Sequence, residues 1–134
     1  MNVTDIRKAI ATKLLELGIQ TYAFIPDTLE PPCAYVRPGD FAYAATYETQ
    51  TTIPMIVQII CPSVDTEGGQ EMLDELIDSE SIGSVIRKLR EDESLGGVVE
   101  SMAVVQHRNY GTVIHAETNT KYWSAEIVLD IFAK

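Results

Sequence analysis

The stretch Tyr122-Trp123-Ser124-Ala125-Glu126-Ile127-Val128-Leu129-Asp130-Ile131-Phe132 decides how this chain folds. Trp123, Ala125, Ile127, Leu129 and Ile131 fall on one side at a period of two, while Ser124, Glu126 and Asp130 fall on the other. That alternation belongs to a β-strand with one face in a hydrophobic core. Upstream, Val98 to His107 and Tyr110 to Ala116 are expected as two further strands. The turn Glu117-Thr118-Asn119-Thr120 is expected to join the last two as a hairpin.

Working outward, Thr52 to Cys61 places Ile53, Met55, Val57 and Ile59 on one side and is mostly apolar on the other. This predicts a central strand covered on both faces, with Pro54 at its start, where no ladder donor is needed. Gln20 to Ile25 and Cys33 to Arg37 read as short strands separated by Pro26-Asp27 and Pro31-Pro32. Phe41, Tyr43 and Tyr47 share one face of a further extended segment, opposite Ala42, Ala44 and Thr46. Elsewhere the period changes to that of a helix. Ile6, Ile10, Leu14 and Leu17 form a stripe that predicts a helix over residues 5–17, with Thr4 as N-cap and Gly18 as stop. Asp65 to Asp78 directs Met72, Leu73, Leu76 and Ile77 inward. Gly68 and Gly69 weaken its first turn by about 1 kcal/mol each and favour a start nearer Gln70. A last helix over residues 81–93 buries Val85, Ile86 and Leu89 and stops at Gly96-Gly97. The expected class is α+β: one domain over residues 1–134, an antiparallel or mixed sheet with an N-terminal helix and two central helices packed on it.

The chain has 134 residues, of which 46% are hydrophobic, enough for a core without disulfide staples. Its longest apolar stretch, Met55 to Cys61, is interrupted by Gln58 and too short for a membrane span. Asp5, Arg7 and Lys8 break any leader-like pattern near the N-terminus, so synthesis in a cytoplasm is expected. Cys33 and Cys61 suit buried positions on strands rather than a disulfide framework or zinc site. The net charge is −10, and residues 65–93 hold ten acids and three bases, a local −7. Such a balance excludes phosphate-gripping nucleic-acid binding as the main function.

No cofactor template fits. The pairs Gly68-Gly69 and Gly96-Gly97 lack the residues of a phosphate loop or dinucleotide fingerprint, and the acids after Asp65 lack the ligand spacing of a calcium loop. His107 and His115, with Glu117 nearby, would need a third and fourth ligand that the sequence does not place. Catalytic residues, metals and cofactors are therefore expected to be none. Two surface features remain. Phe41, Tyr43 and Tyr47 form a candidate subunit interface, the competing reading being a sheet face under the first helix. Glu67, Glu71, Asp74, Glu75 and Asp78, with Glu91, Asp92 and Glu93, form an acidic surface whose plain reading is a solvated face.

These residues resemble a known family. Tyr22-Ala23-Phe24-Ile25-Pro26-Asp27 and Pro31-Pro32-Cys33-Ala34-Tyr35-Val36 resemble the early strand, Pro-Asp loop and Pro-Pro strand of bacteriophage tail terminator proteins. Gln70, Leu73 and Asp74 suit the helix that follows the central strand. Ser81-Ile82-Gly83-Ser84-Val85-Ile86 is the closest echo, followed by Asp92, Glu93, Ser94 and Leu95-Gly96-Gly97-Val98-Val99. Tyr110-Gly111 and Tyr122 through Ala125-Glu126-Ile127-Val128-Leu129 complete a similarity running along nearly the whole chain, although the hairpin turn lacks the glycines the family leads one to expect.

The resemblance implies a virion protein of a long-tailed phage, made in the host cytoplasm and located at the head-proximal end of the tail. It implies a ring, commonly six-fold, that caps the tail tube, ends its polymerisation and offers a docking surface to the neck or head-completion protein. It implies no catalytic residues and no membrane. Genomic DNA would pass through without specific binding, and an acidic lumen would repel it. Two other readings stand beside this one: another neck or head-tail connector protein, and a small cytosolic ligand-binding domain using His107 or His115.

Overall fold

An apolar stripe winds the first described segment into α1, Val3–Leu15, with Ile6, Ile10 and Leu14 buried along one side. The structure, a computed structural model, describes residues 3–27, 30–39, 52–63, 67–78, 84–115 and 120–132. Thr4 lies inside the first turn of α1, so it is not the N-cap expected from sequence; the helix already includes Val3. Gly18 ends the following turn at φ 85°, a left-handed conformation that a residue with a Cβ adopts only under strain.

Among the described residues five strands form one sheet in the order β1-β2-β3-β5-β4. They are β1, Gln20–Tyr22; β2, Cys33–Pro38; β3, Thr52–Ser63; β4, Ser101–His115; and β5, Thr120–Phe132. β1 runs parallel to β2 and every other pair is antiparallel, so the sheet is mixed, as the α+β expectation allowed. Three helices, α1 with α2, Glu67–Ile77, and α3, Val85–Arg90, complete the described elements. Their apolar residues share one core with the alternate residues Ala34, Val36, Met55, Val57, Ile59, Ala125, Ile127 and Leu129 of β2, β3 and β5. All three helices therefore cover the same face of the sheet. Arg7 ties α1 to that sheet from its rim, donating from Nε to Ala23 O at 2.7 Å and from Nη2 to Val36 O at 2.8 Å.

The central position expected for the Thr52 segment is what the sheet shows. β3 lies between β2 and β5, and Ile56, Gln58 and Ile60 are buried on the face without helices. Pro54 is not at the very start of β3 but opposite Asp130 of β5. Its carbonyl accepts from Gly39 N at 2.9 Å, on the β2 side. The missing N–H points the same way, just past Pro38, where β2 ends, and the ladder to β5 is preserved.

Four local expectations need correction. The two strands expected over Val98–His107 and Tyr110–Ala116 are one strand, β4, with register shifts between Val104 and Gln106 and between Arg108 and Gly111. The break expected between His107 and Tyr110 is a bulge, with Asn109 at φ 54°. The strand expected over Gln20–Ile25 stops at Tyr22. In α2 the buried stripe is Gly69, Leu73 and Leu76, at i, i+4 and i+7, which leaves Met72 off the stripe and exposed. The helix also begins at Glu67, ahead of both glycines. The last helix is shorter than expected. Ser84, fully buried, accepts from Ile86 N and Arg87 N as its N-cap, and Glu91 to Gly97 turn through positive φ at Leu95, Gly96 and Gly97.

The core assignments predict a sharp contrast. Leu129→Ala should cost about 3 kcal/mol of unfolding free energy, the usual range for a fully buried leucine. Met72→Ala should change it by less than about 0.5 kcal/mol. Chemical denaturation of the two variants measures both.

Candidate assembly surface

β4 is the far edge of the sheet: one side of its backbone pairs with β5, and no described strand pairs with the other. Fifteen residues long, it contains no acid, no lysine and no proline, in a chain that carries 20 acids. Its one full charge is Arg108. Val105 and Ile114 are 51% and 58% exposed, and Val113 and Tyr110 are exposed beside them. Edge strands ordinarily avoid pairing with other chains through lysine, proline, brevity or bulges. β4 has only its bulges. The opposite edge, β1, is shielded by brevity, being three residues long.

The face of the sheet without helices is held by a polar bracket that the sequence did not reveal. Register places Tyr35, Gln58, Glu126 and Arg108 in one row across β2, β3, β5 and β4. Glu126 is 8% exposed, and its two oxygens are taken separately, Oε1 by Arg108 Nε at 2.9 Å and Oε2 by Arg37 Nη2 at 3.0 Å. To reach β5, the Arg37 side chain must pass over β3, which helps cover Ile56 and Gln58. Gln58 Nε2 donates to Ser124 Oγ at 2.6 Å, and Ser124 Oγ donates to Ile59 O at 2.8 Å. Burial pushes the Glu126 carboxyl up, but hydrogen bonds from Arg108 and Asn109 and the charges of both arginines outweigh it and hold its pKa below the ordinary value.

The acidic residues divide into two groups. Glu71, Asp74 and Glu75 are exposed on α2, which begins at Glu67, and Asp78 is exposed just past its end. Their i, i+3 and i, i+4 spacing sets like charges side by side, and Glu75 and Asp78 sit at the helix end that favours cations. Asp74 accepts a 2.6 Å hydrogen bond from the Tyr110 hydroxyl and so links α2 to the β4 bulge. Glu91, Asp92 and Glu93 lie in the turn after α3, not on a helix. Glu91 pairs with Lys88 at 3.1 Å and Lys13 at 3.5 Å. Asp92 accepts from Ser94 N, Ser94 Oγ and Gly96 N, which fixes the turn. Of that trio only Glu93 is an exposed acid without such a structural task among the bonds described here.

Phe41, Tyr43 and Tyr47 lie outside the described residues. His107 and His115 stand on the same strand eight residues apart, a separation of roughly 25 Å along an extended chain. One metal ion cannot bridge them. No group of three metal-ligating side chains occurs among the described residues. Cys33 and Cys61 are buried and free, and burial raises both thiols, Cys61 to about 12. A groove of about 710 Å³ between α1 and the 92–98 turn is lined by Lys8 and Lys13 as well as Asp5, Glu16 and Asp92, so no single charge converges there. No described helix is long and apolar enough to cross a membrane.

Neither a protein-family model nor a curated protein matches the chain. The site therefore rests on its own geometry. Its leading features are the open edge of β4, where Val105, Val113 and Ile114 are exposed, and the acidic stripe of α2, which Tyr110 and Asp74 connect.

The bracket carries a pH signature. Because the folded pKa of Glu126 is depressed, its contribution is fully present above the unfolded value of about 4.3 and is lost as pH falls through the folded pKa. Glu126→Gln should lower stability at pH 7 by about 2 kcal/mol, the scale of hydrogen bonds to a charged group. The difference from the parent should shrink below pH 4. Urea titrations at pH 7 and pH 3 give the comparison.

Proposed function

We propose that this chain is a virion protein of the tail terminator type. It closes into a ring, of six copies, on the head-proximal end of a phage tail tube. There it ends tube polymerisation and provides the docking surface for the neck. Its work is geometric rather than catalytic: a head-to-tail contact that closes on itself caps a stack that would otherwise continue.

The observation that carries this reading is the β4 edge. A 15-residue strand without lysine, proline or acid, with Val105, Val113 and Ile114 exposed, suits an assembly surface better than a solvated margin. The α+β sheet and the chain-long resemblance agree with it. Phe41, Tyr43 and Tyr47 serve as subunit contacts in this reading. The outward acids of α2 suit a passage that DNA must traverse without adhering.

Removing the gene from its phage should leave filled heads beside unattached tails of excess or irregular length, visible by electron microscopy of lysates. Normal tails joined to heads in its absence would overturn the reading.

A further inference from the structure

The three helices are not held to the sheet equally. α1 buries Ile6, Ile10, Ala11 and Leu14, and Arg7 adds two hydrogen bonds to backbone carbonyls. α3 buries Val85, Ile86 and Leu89, stands on the buried cap Ser84, and is joined to α1 through Glu91 and Lys13. In α2, almost twice as long as α3, the buried side chains among the described residues are Leu73 and Leu76. Gly69 completes the inward stripe without adding a side chain. An element with so little buried apolar surface is the one that opens first by local unfolding.

What fastens α2 is a side chain of β4. The Tyr110 hydroxyl donates to Asp74 Oδ1 at 2.6 Å, and Gln70 reaches the same hydroxyl. The bulge aims it there. Arg108 pairs with Glu126 and Gly111 with Ser124, both on the face without helices, so the extra residue between them lets Tyr110 turn to the helix side. The Tyr110 ring also lies 6.1 Å from that of Trp123, tilted by 45°. Trp123, the only tryptophan of the chain, packs against the core from β5, opposite Cys61 of β3, and these are the two strands on which α2 rests. Its Nε1–H is buried and has no acceptor. A buried donor without a partner raises the energy of the closed arrangement, and water that reaches it on opening removes that penalty. The indole therefore favours opening, and the Tyr110 bond opposes it.

We propose that α2 is a latched cover, which comes away from β3 and β5 as a unit while α1 and α3 stay in place, with the Tyr110–Asp74 bond setting how often. Opening bares Leu73, Leu76 and the Trp123 indole together. Tyr110 is 37% exposed, so water competes for its bond without any other part of the fold moving. The device does not depend on the ring reading.

Hydrogen exchange of the full chain, followed by nuclear magnetic resonance, tests it. In the parent, the Glu71–Ile77 amides and the Trp123 indole N–H should show the same protection, at least about tenfold below that of the Ile10–Leu14 and Ile127–Ile131 amides. Tyr110→Phe removes the hydroxyl and keeps the ring against Trp123. It should lower protection of the α2 amides and the indole by at least about fivefold, the scale of one hydrogen bond to a charged group, and leave Ile10–Leu14 within about twofold. Asp74→Asn keeps an acceptor and should have a smaller effect. Protection of α2 in the parent equal to that of β5 would overturn the proposal, since the helix would then open only with the whole fold. So would a Tyr110→Phe variant that loosens α1 and α2 alike, or neither. Should that variant fold poorly, the comparison of α2 with β5 in the parent decides alone.

Discussion

β5 has to be buried on both faces while it is bonded along both edges, and much of the sheet follows from that constraint. Its helix-side residues Ala125, Ile127, Leu129 and Ile131 are fully buried, which commits the three helices to that side. Its other side carries Ser124 and Glu126, also buried, where an unpaired carboxylate would be costly. The charge is tolerable only because guanidinium groups arrive from both directions, Arg37 from β2 and Arg108 from β4. Those two contacts span four adjacent strands. They favour the order β2-β3-β5-β4 over alternatives in which β4 and β5 lie as a separate hairpin.

The same arrangement leaves the outer side of β4 without a described strand partner. Its inner side is committed to β5, and through Arg108 and Tyr110 it is also tied to the bracket and to α2. A strand so firmly held can present an edge without fraying. The bulges at Val105 and Asn109–Tyr110 then divide that edge into short straight stretches, which limits what can pair with it and in which register.

The sequence revealed the parts of the fold that depend on periodicity. The alternation of β5, the stripe of α1, the two-sided burial of β3 and the core positions of α3 could all be seen in the order of apolar residues. Met72 reads as inward from its place beside Leu73, yet it is exposed, because only the sheet decides which neighbour turns inward. The break between His107 and Tyr110 was legible, but a bulge and a turn can use the same positive φ that Asn109 adopts, so the continuity of β4 was not. The Arg37–Glu126–Arg108 bracket was hidden for a different reason. Its members are up to 89 positions apart, and their meeting depends on a strand order that no local pattern encodes. Of the candidate site, the acids of α2 were legible as an outward stripe. The structural tasks of Glu91 and Asp92 were not, since adjacent acids look alike until their partners are known.

The two cysteines give the molecule an internal clock. Register pairs Cys33 with Ile60, so Cys33 and Cys61 sit on adjacent strands but face opposite sides of the sheet. They cannot form a disulfide with each other while the sheet is intact. Burial pushes the Cys61 thiol up to about 12, so it stays protonated at neutral pH, and the side chain is sealed inside the helix-side layer. Cys33 is sealed beneath the other face. A thiol reagent therefore meets each only when its own side of the sheet opens. Labelling rates at the two positions report separately how often the helices lift and how often the opposite face loosens.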